Sequence, residues 1–169
     1  MSMRIFSADY LDFLSAQAKC NPRKRQHDNI HQSYQEASQR LFNAIEPTSY
    51  IRPHRHSVDP RSELLVAVRG LLALVTFDED GNVIGSLRFG STNHDDNLAV
   101  GAEVPANTWH TVIALKPGCI LLEVKAGPFD PSLPKELAPW APEEGSDSAQ
   151  AYLNILILCE KEGSLQSYL

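Results

Sequence analysis

The chain has 169 residues, 43% hydrophobic and 21% charged, with 15 Lys+Arg against 21 Asp+Glu for a formal charge of −6. That length and mix fit one globular domain and exclude a disordered tail, a fibre or a collagen. The acidic balance argues against nucleic acid as a partner, and the longest strongly apolar run, residues 153–159, is far short of the roughly 20 residues that a membrane span needs.

The charge is uneven. Residues 1–61 carry nine basic and six acidic side chains, a balance of +3, and residues 62–169 carry six and fifteen, a balance of −9. A small anionic ligand can use the basic first third. The cysteines, Cys20, Cys119 and Cys159, are far apart and form no C-x-x-C pair. This predicts small buried apolar side chains rather than a disulfide framework, and a reducing, cytoplasmic setting. The opening residues, MSMRIFSADYLDF, show no basic region followed by an apolar one, so no secretory signal is expected.

In chain order, residues 7–20 predict a short helix, with Ser7 as its N-cap and Tyr10, Leu11, Leu14 and Ala18 at helical spacing. Asn21-Pro22 ends it. The polar stretch RKRQHDNIHQS has no clean period and is expected to be a loop or an arm. From Ser38 short β-like runs alternate with turn signals. SQRLFNAI stops at Pro47, YIRPHRH stops at Pro60, and ELLVAVRGLLALVTF stops at an Asp-Gly hairpin signal around Gly81. VIGSLRFG, LAVGAEVP, WHTVIAL and CILLEVKAG follow. Seven or eight strands at even spacing, with no helices between them, predict a sandwich or barrel. Residues 128–145 hold five prolines and are expected to lie extended over the barrel, with Trp140 buried. A C-terminal helix follows, capped at Ser146 or Asp147 and ending before Gly163. The expected divisions are 1–37 (helix and basic arm), 38–127 (barrel) and 128–169 (covering segment and helix), all within one structural domain.

Four residues carry the chemistry: His54, His56, Glu63 and His110. Positions two apart on a strand share a face, so His54 and His56 project together. Glu63 opens the next run, where an antiparallel neighbour would bring its carboxylate beside them, and His110 can join if the sheet closes. Three imidazoles and a carboxylate suit zinc, iron, manganese, nickel or copper, with open positions for water or substrate. Strand parity also turns Arg52 and Tyr50 toward the cavity, where Tyr50 is a candidate acid or hydrogen-bond donor. On the preceding strand either Arg40 with Phe42, or Gln39 with Leu41 and Asn43, faces in. Trp109 should face away from His110 and pack. His94, Asp95 and Asp96 are expected in a solvated hairpin, and Glu123 alternates with Leu121 and can face the cavity.

The stretch Y-I-R-P-H-R-H-x6-E-x6-G resembles the first cupin motif, and residues 101–110, with Pro105, Asn107 and His110, resemble the second. Thr48 and Asn107 stand where glycines are usual, Ala114 stands where Asn is usual, and the gap from His56 to Glu63 is longer than the pattern. PRKRQHDNIH, QRLFNAI, PTSYIRPHRH, FDEDGNV, PANTWHTVIAL, EVKAGPF and APWAPEEG together resemble the WbuC-type cupin-fold metalloproteins, over about residues 21–145. The resemblance implies a mainly β cupin barrel (a jelly-roll-like double-stranded β-helix) with short terminal helices. It implies one divalent metal ion (zinc, iron, manganese or nickel) on the three histidines, with Glu63 as a further candidate ligand. It also implies an arm signature at Arg23, Arg25 and His31. With Arg40, these are the candidate contacts to an anionic ligand, guanidinium being suited to phosphate or carboxylate. Lys24 and His27 are expected to be solvated.

The function expected is metal-dependent action on a small anionic sugar, sugar phosphate or nucleotide sugar in bacterial surface-polysaccharide metabolism. Isomerisation, epimerisation, hydrolysis and oxygen chemistry all fit, with Tyr50 and Arg52 as candidate catalytic groups. The alternatives are a non-catalytic, metal-containing module that binds or senses a small molecule, and a purely structural metal. A homodimer is expected.

Overall fold

The computed structural model describes residues 3–91, 98–133 and 135–162. Helix α1 spans Ala8–Cys20, and the Ser7 hydroxyl caps it by accepting from the Tyr10 backbone N–H. Its Leu14 and Ala18 pack on Phe42, Ala44 and Ile120, which fastens the helix to the outside of a sheet. The strands are β1 (Arg25–Asn29), β2 (Ser38–Ile45), β3 (His54–Arg55), β4 (Glu63–Arg69), β5 (Leu71–Phe77), β6 (Val83–Gly90), β7 (Gly101–Val104), β8 (Trp109–Ala114), β9 (Cys119–Ala126) and β10 (Glu136–Leu137). Helix α2, Ala149–Glu162, closes the described chain and starts just past the two caps expected for it. Gly163 lies outside the described residues, as do His94, Asp95 and Asp96.

The strands form two five-stranded antiparallel sheets, in the orders β1-β2-β9-β4-β7 and β10-β3-β8-β5-β6. One buried cluster fills the space between them. Ile45, Leu65 and Leu121 come from the first sheet, and Leu72, Leu74, Phe89 and Val112 from the second. Burying each such side chain contributes about 1.5–3 kcal/mol. The long run ELLVAVRGLLALVTF is two strands because Gly70 turns the chain at φ +83, where a Cβ would stand 2.6 Å from Cys119 Sγ. That turn moves the chain from one sheet to the other.

The segment after β9 crosses the second sheet, and its β10 pairs with β3. Trp140 packs on Phe77 and Trp109, and Leu153 and Leu156 of α2 join the same buried cluster. Residues 25–29, expected to be a loop or arm, form a strand along the edge of β2. Their polar sequence hid this because an edge strand with one solvated face needs few apolar residues. Among the described residues all three cysteines are free, and no helix is long and apolar enough to cross a membrane.

Candidate metal centre

His54 opens β3 and stands in register with His110 on β8, their ring centroids 4.6 Å apart. His56 follows just past the end of β3, its ring 5.7 Å from His54 and 6.3 Å from His110. Glu63 opens β4. Adjacency to the histidine strand was the expected route for this carboxylate, but β3 and β4 lie in different sheets, so Glu63 reaches the imidazoles across the barrel interior. Its Oε2 lies 3.5 Å from His110 Nε2 and 3.6 Å from His56 Nε2, and Lys125 donates to its Oε1 at 3.0 Å.

The rings are oriented by backbone carbonyls. His54 Nδ1 bonds the Arg52 carbonyl at 3.1 Å, and His110 Nδ1 bonds the Thr108 carbonyl at 2.8 Å. A ring that donates through Nδ1 keeps the Nε2 lone pair free, and both lone pairs then serve the cluster. Burial keeps His54 well below its usual pKa and therefore neutral. Burial alone would raise the Glu63 carboxyl, but its contacts with His110 and His56 and the Lys125 charge hold it well below the usual carboxylate range. His54, Glu63 and His110 are all buried, with ligand atoms within 4.8 Å of one another, so they can hold a metal ion. His56 Nε2 is buried without a hydrogen-bond partner. Imidazole nitrogens, a carboxylate and an orphaned ring nitrogen fit a borderline divalent ion.

These groups line a cavity of about 320 Å3. Glu123 and Lys125 alternate along β9 and both face it. Asn43 donates to Glu123 Oε1 at 2.9 Å, and its own Oδ1 is buried and unpaired. Burial, then the charge of Glu63, raises the Glu123 carboxyl. Lys125 is raised despite burial, because Glu63 and Glu123 favour its charge.

Strand β2 turns Leu41 and Asn43 inward and places Arg40 and Phe42 on its other side. Arg40 pairs there with Glu36, and the buried His31 ring accepts from the Arg40 backbone N–H at 3.0 Å. Neither side chain lines the cavity. Arg23 and Arg25 do line it, joined through Glu144: Arg23 donates to both carboxylate oxygens, and Arg25 donates to Oε2 at 2.7 Å and to the Tyr50 carbonyl at 3.1 Å. Tyr50 and Arg52 are turned away from the cavity. The Tyr50 hydroxyl donates to the Pro142 carbonyl at 2.9 Å, and the Arg52 guanidinium donates to the Ala138 carbonyl at 2.8 Å. Two-residue parity fails there because residues 50–53 are not a strand, so Ile51 faces in instead. Trp109 packs opposite His110 beneath the Arg55 guanidinium, which lies 4.3 Å from its ring.

Sequence reasoning missed His27 and Lys135, which both line the cavity mouth. His27 stands opposite Asn43 in the β1–β2 ladder, a relation that follows only once residues 25–29 are a strand. Lys135 gave no signal.

A family model described as a domain of unknown function (DUF6016) matches residues 6–89. No curated protein matches the chain in sequence. Among solved structures, protein SO0799 from Shewanella oneidensis is similar over 98% of this chain and 100% of its own, with a TM-score of 0.56 at 11% identity. TT1209 from Thermus thermophilus aligns over 75% of this chain and 98% of its own, with a TM-score of 0.50 at 18% identity. KdgF from Halomonas sp. aligns over 64% of this chain and 84% of its own, with a TM-score of 0.47 at 15% identity. The fold is mainly β, a jelly-roll-like barrel of two facing five-stranded sheets with short terminal helices. The histidine pair and Glu63 sit inside that barrel, between its two sheets.

Proposed function

We propose that this barrel is a cupin and a metal-dependent enzyme acting on a small anionic sugar or sugar phosphate. The observation that carries the reading is the buried cluster of His54, Glu63 and His110, with the unpaired His56 Nε2 beside it, in a cavity rimmed by cations. All four side chains would hold one divalent ion, zinc, iron, manganese or nickel. Such an ion supplies Lewis acidity toward a carbonyl or hydroxyl oxygen.

The chain's own groups do the rest. Lys125 holds Glu63 in place through Oε1. Glu123, with its raised carboxyl, is the group in the cavity suited to carry a proton, and Asn43 fixes its orientation. Asn43 Oδ1 offers an unused acceptor to a ligand hydroxyl. Tyr50 and Arg52 brace the covering segment. The volume of about 320 Å3 is at the small end for ligand sites and favours one sugar ring with its charged group over a nucleotide sugar. The resemblance to WbuC-type proteins supports a cytoplasmic role in bacterial surface-polysaccharide metabolism. The exposed Ile155 and Leu158 on α2 support a homodimer.

The test is a panel of sugar phosphates and sugar acids against metal-loaded protein, followed by thermal shift and by NMR of the ligand. The reading expects a saturable ligand that is converted only in the loaded protein. Saturable binding without conversion points instead to a sensing module. Equal behaviour of wild type and His54→Ala toward every ligand contradicts the proposal.

A further inference from the structure

Four cationic side chains converge on one imidazole at the cavity mouth. His27 lies on β1, and Arg25 is two residues earlier on the same face. Arg23 precedes the strand, Lys125 comes from β9, and Lys135 comes from the segment that enters β10. All five line the cavity. Partial burial of the His27 ring, and then the charges of Arg25, Lys135, Arg23 and Lys125, push its pKa down to about 4. Four like charges around one neutral ring, drawn from three separate parts of the chain, are costly to assemble without an anion.

The counter-charge present covers only part of this group. Glu144 is shared between Arg23 and Arg25, and Glu63 engages Lys125. Arg25 also donates through Nη1 to Ser49 and the Tyr50 carbonyl. Lys135 makes no ion pair among the described residues, and burial pulls its ammonium down to about 8 although Glu123 and Glu63 favour its charge, so it is still a cation at neutral pH. His27 and Lys135 keep an open side toward the cavity mouth.

We propose that Lys135 and His27, backed by Arg25 and Lys125, form an oxyanion subsite that holds the phosphate or carboxylate group of a ligand whose other end reaches the histidine cluster. The second half of that statement rests on the proposed function, while the subsite itself needs no metal. Lysine supplies three rotatable donors and a compact charge, and the neutral imidazole adds one N–H. An anion placed between them also relieves the repulsion among the four cations, so its binding should draw a proton onto His27.

The experiment titrates the full chain with inorganic phosphate, and separately with acetate, at neutral pH and low salt. Calorimetry and the His27 ring resonances are followed for wild type, Lys135→Met and Lys135→Arg, with metal content measured in each sample. Saturable binding is expected, with His27 shifting toward its protonated form. Lys135→Met should weaken binding about tenfold, the loss of one charge-assisted contact, while Lys135→Arg stays close to wild type. The tighter of the two anions names the group. Wild-type phosphate affinity in Lys135→Met, or no saturable binding of either anion by wild type, overturns the subsite. Anion binding intact in protein that takes up no metal would retain the subsite and remove the metal-dependent reading.

Discussion

His54 on β3 stands directly opposite His110 on β8, and Glu63 reaches this pair from the other sheet of the barrel. The centre therefore depends on the two sheets keeping their separation, and the packed cluster of Leu65, Leu72 and Phe89 maintains it. Ligands drawn from opposite sheets cannot be moved together by a slip of one strand.

Lys125 is the group that fixes the carboxylate in this arrangement, through a 3.0 Å bond to Glu63 Oε1. Lys125→Met should lower divalent-metal affinity by about 10–100-fold while leaving the fold intact, as loss of an outer partner usually does. Competition with a metal indicator measures it. Unchanged affinity would show that Glu63 is held without this ammonium.

Acid should weaken the mouth in two stages. The folded pKa of His27 is about 4 against an ordinary 6.5, so only the unfolded chain takes up that proton as pH falls through this window, and stability drops. Burial opposes ionisation of Glu144, but Arg23 and Arg25 prevail and lower it to about 2 from 4.5, so its contribution is present above pH 4.5 and is lost as pH falls toward 2. Both groups are partly open to solvent, which keeps each effect small. Denaturation midpoints measured against pH should lose the upper stage in His27→Gln and the lower stage in Glu144→Gln. Profiles identical to wild type would contradict these assignments.

Helix α2 is fastened by an ion pair that is buried on one side only. The Glu160 side chain is 0% exposed, and Arg88 bonds it while 40% open to solvent. Arg88→Met should destabilise the protein by about 1–3 kcal/mol, because the carboxylate is left unpaired inside. Glu160→Gln should cost less. Urea unfolding of the two variants gives the order, and no loss of stability in either would mean that α2 is held by its apolar contacts, Leu153 and Leu156 among them.

The barrel was legible because its central strands carry the apolar content that packing demands, and because local chemistry marks the turns. Asp78 accepts from the backbone N–H groups of Asp80 and Asn82, and Gly81, at φ +88, leaves room for Trp140, so the Asp-Gly signal at that hairpin had a physical cause. The histidines were legible because their ligand chemistry needs those side chains at those spacings. The polar β1 and the two-residue β10 were not, since strands so short or so solvated leave no periodic trace, and of the run YIRPHRH only His54–Arg55 pairs as a strand. The orientation of Tyr50, Arg52 and Arg40 depended on a register that sequence does not carry. Lys135 reaches the cavity only because the proline-rich segment crosses the mouth, a tertiary fact with no local signature.

The most direct test of the central claim is elemental analysis by mass spectrometry of protein purified without added metal or an affinity tag, with His54→Ala alongside. One equivalent of a divalent ion in wild type, lost from a folded His54→Ala, is the predicted result, and the identity of the ion separates iron-based oxygen chemistry from Lewis-acid chemistry. A well-folded wild type that holds no ion, and takes up none when zinc, manganese, nickel or ferrous iron is supplied, would contradict the metal centre.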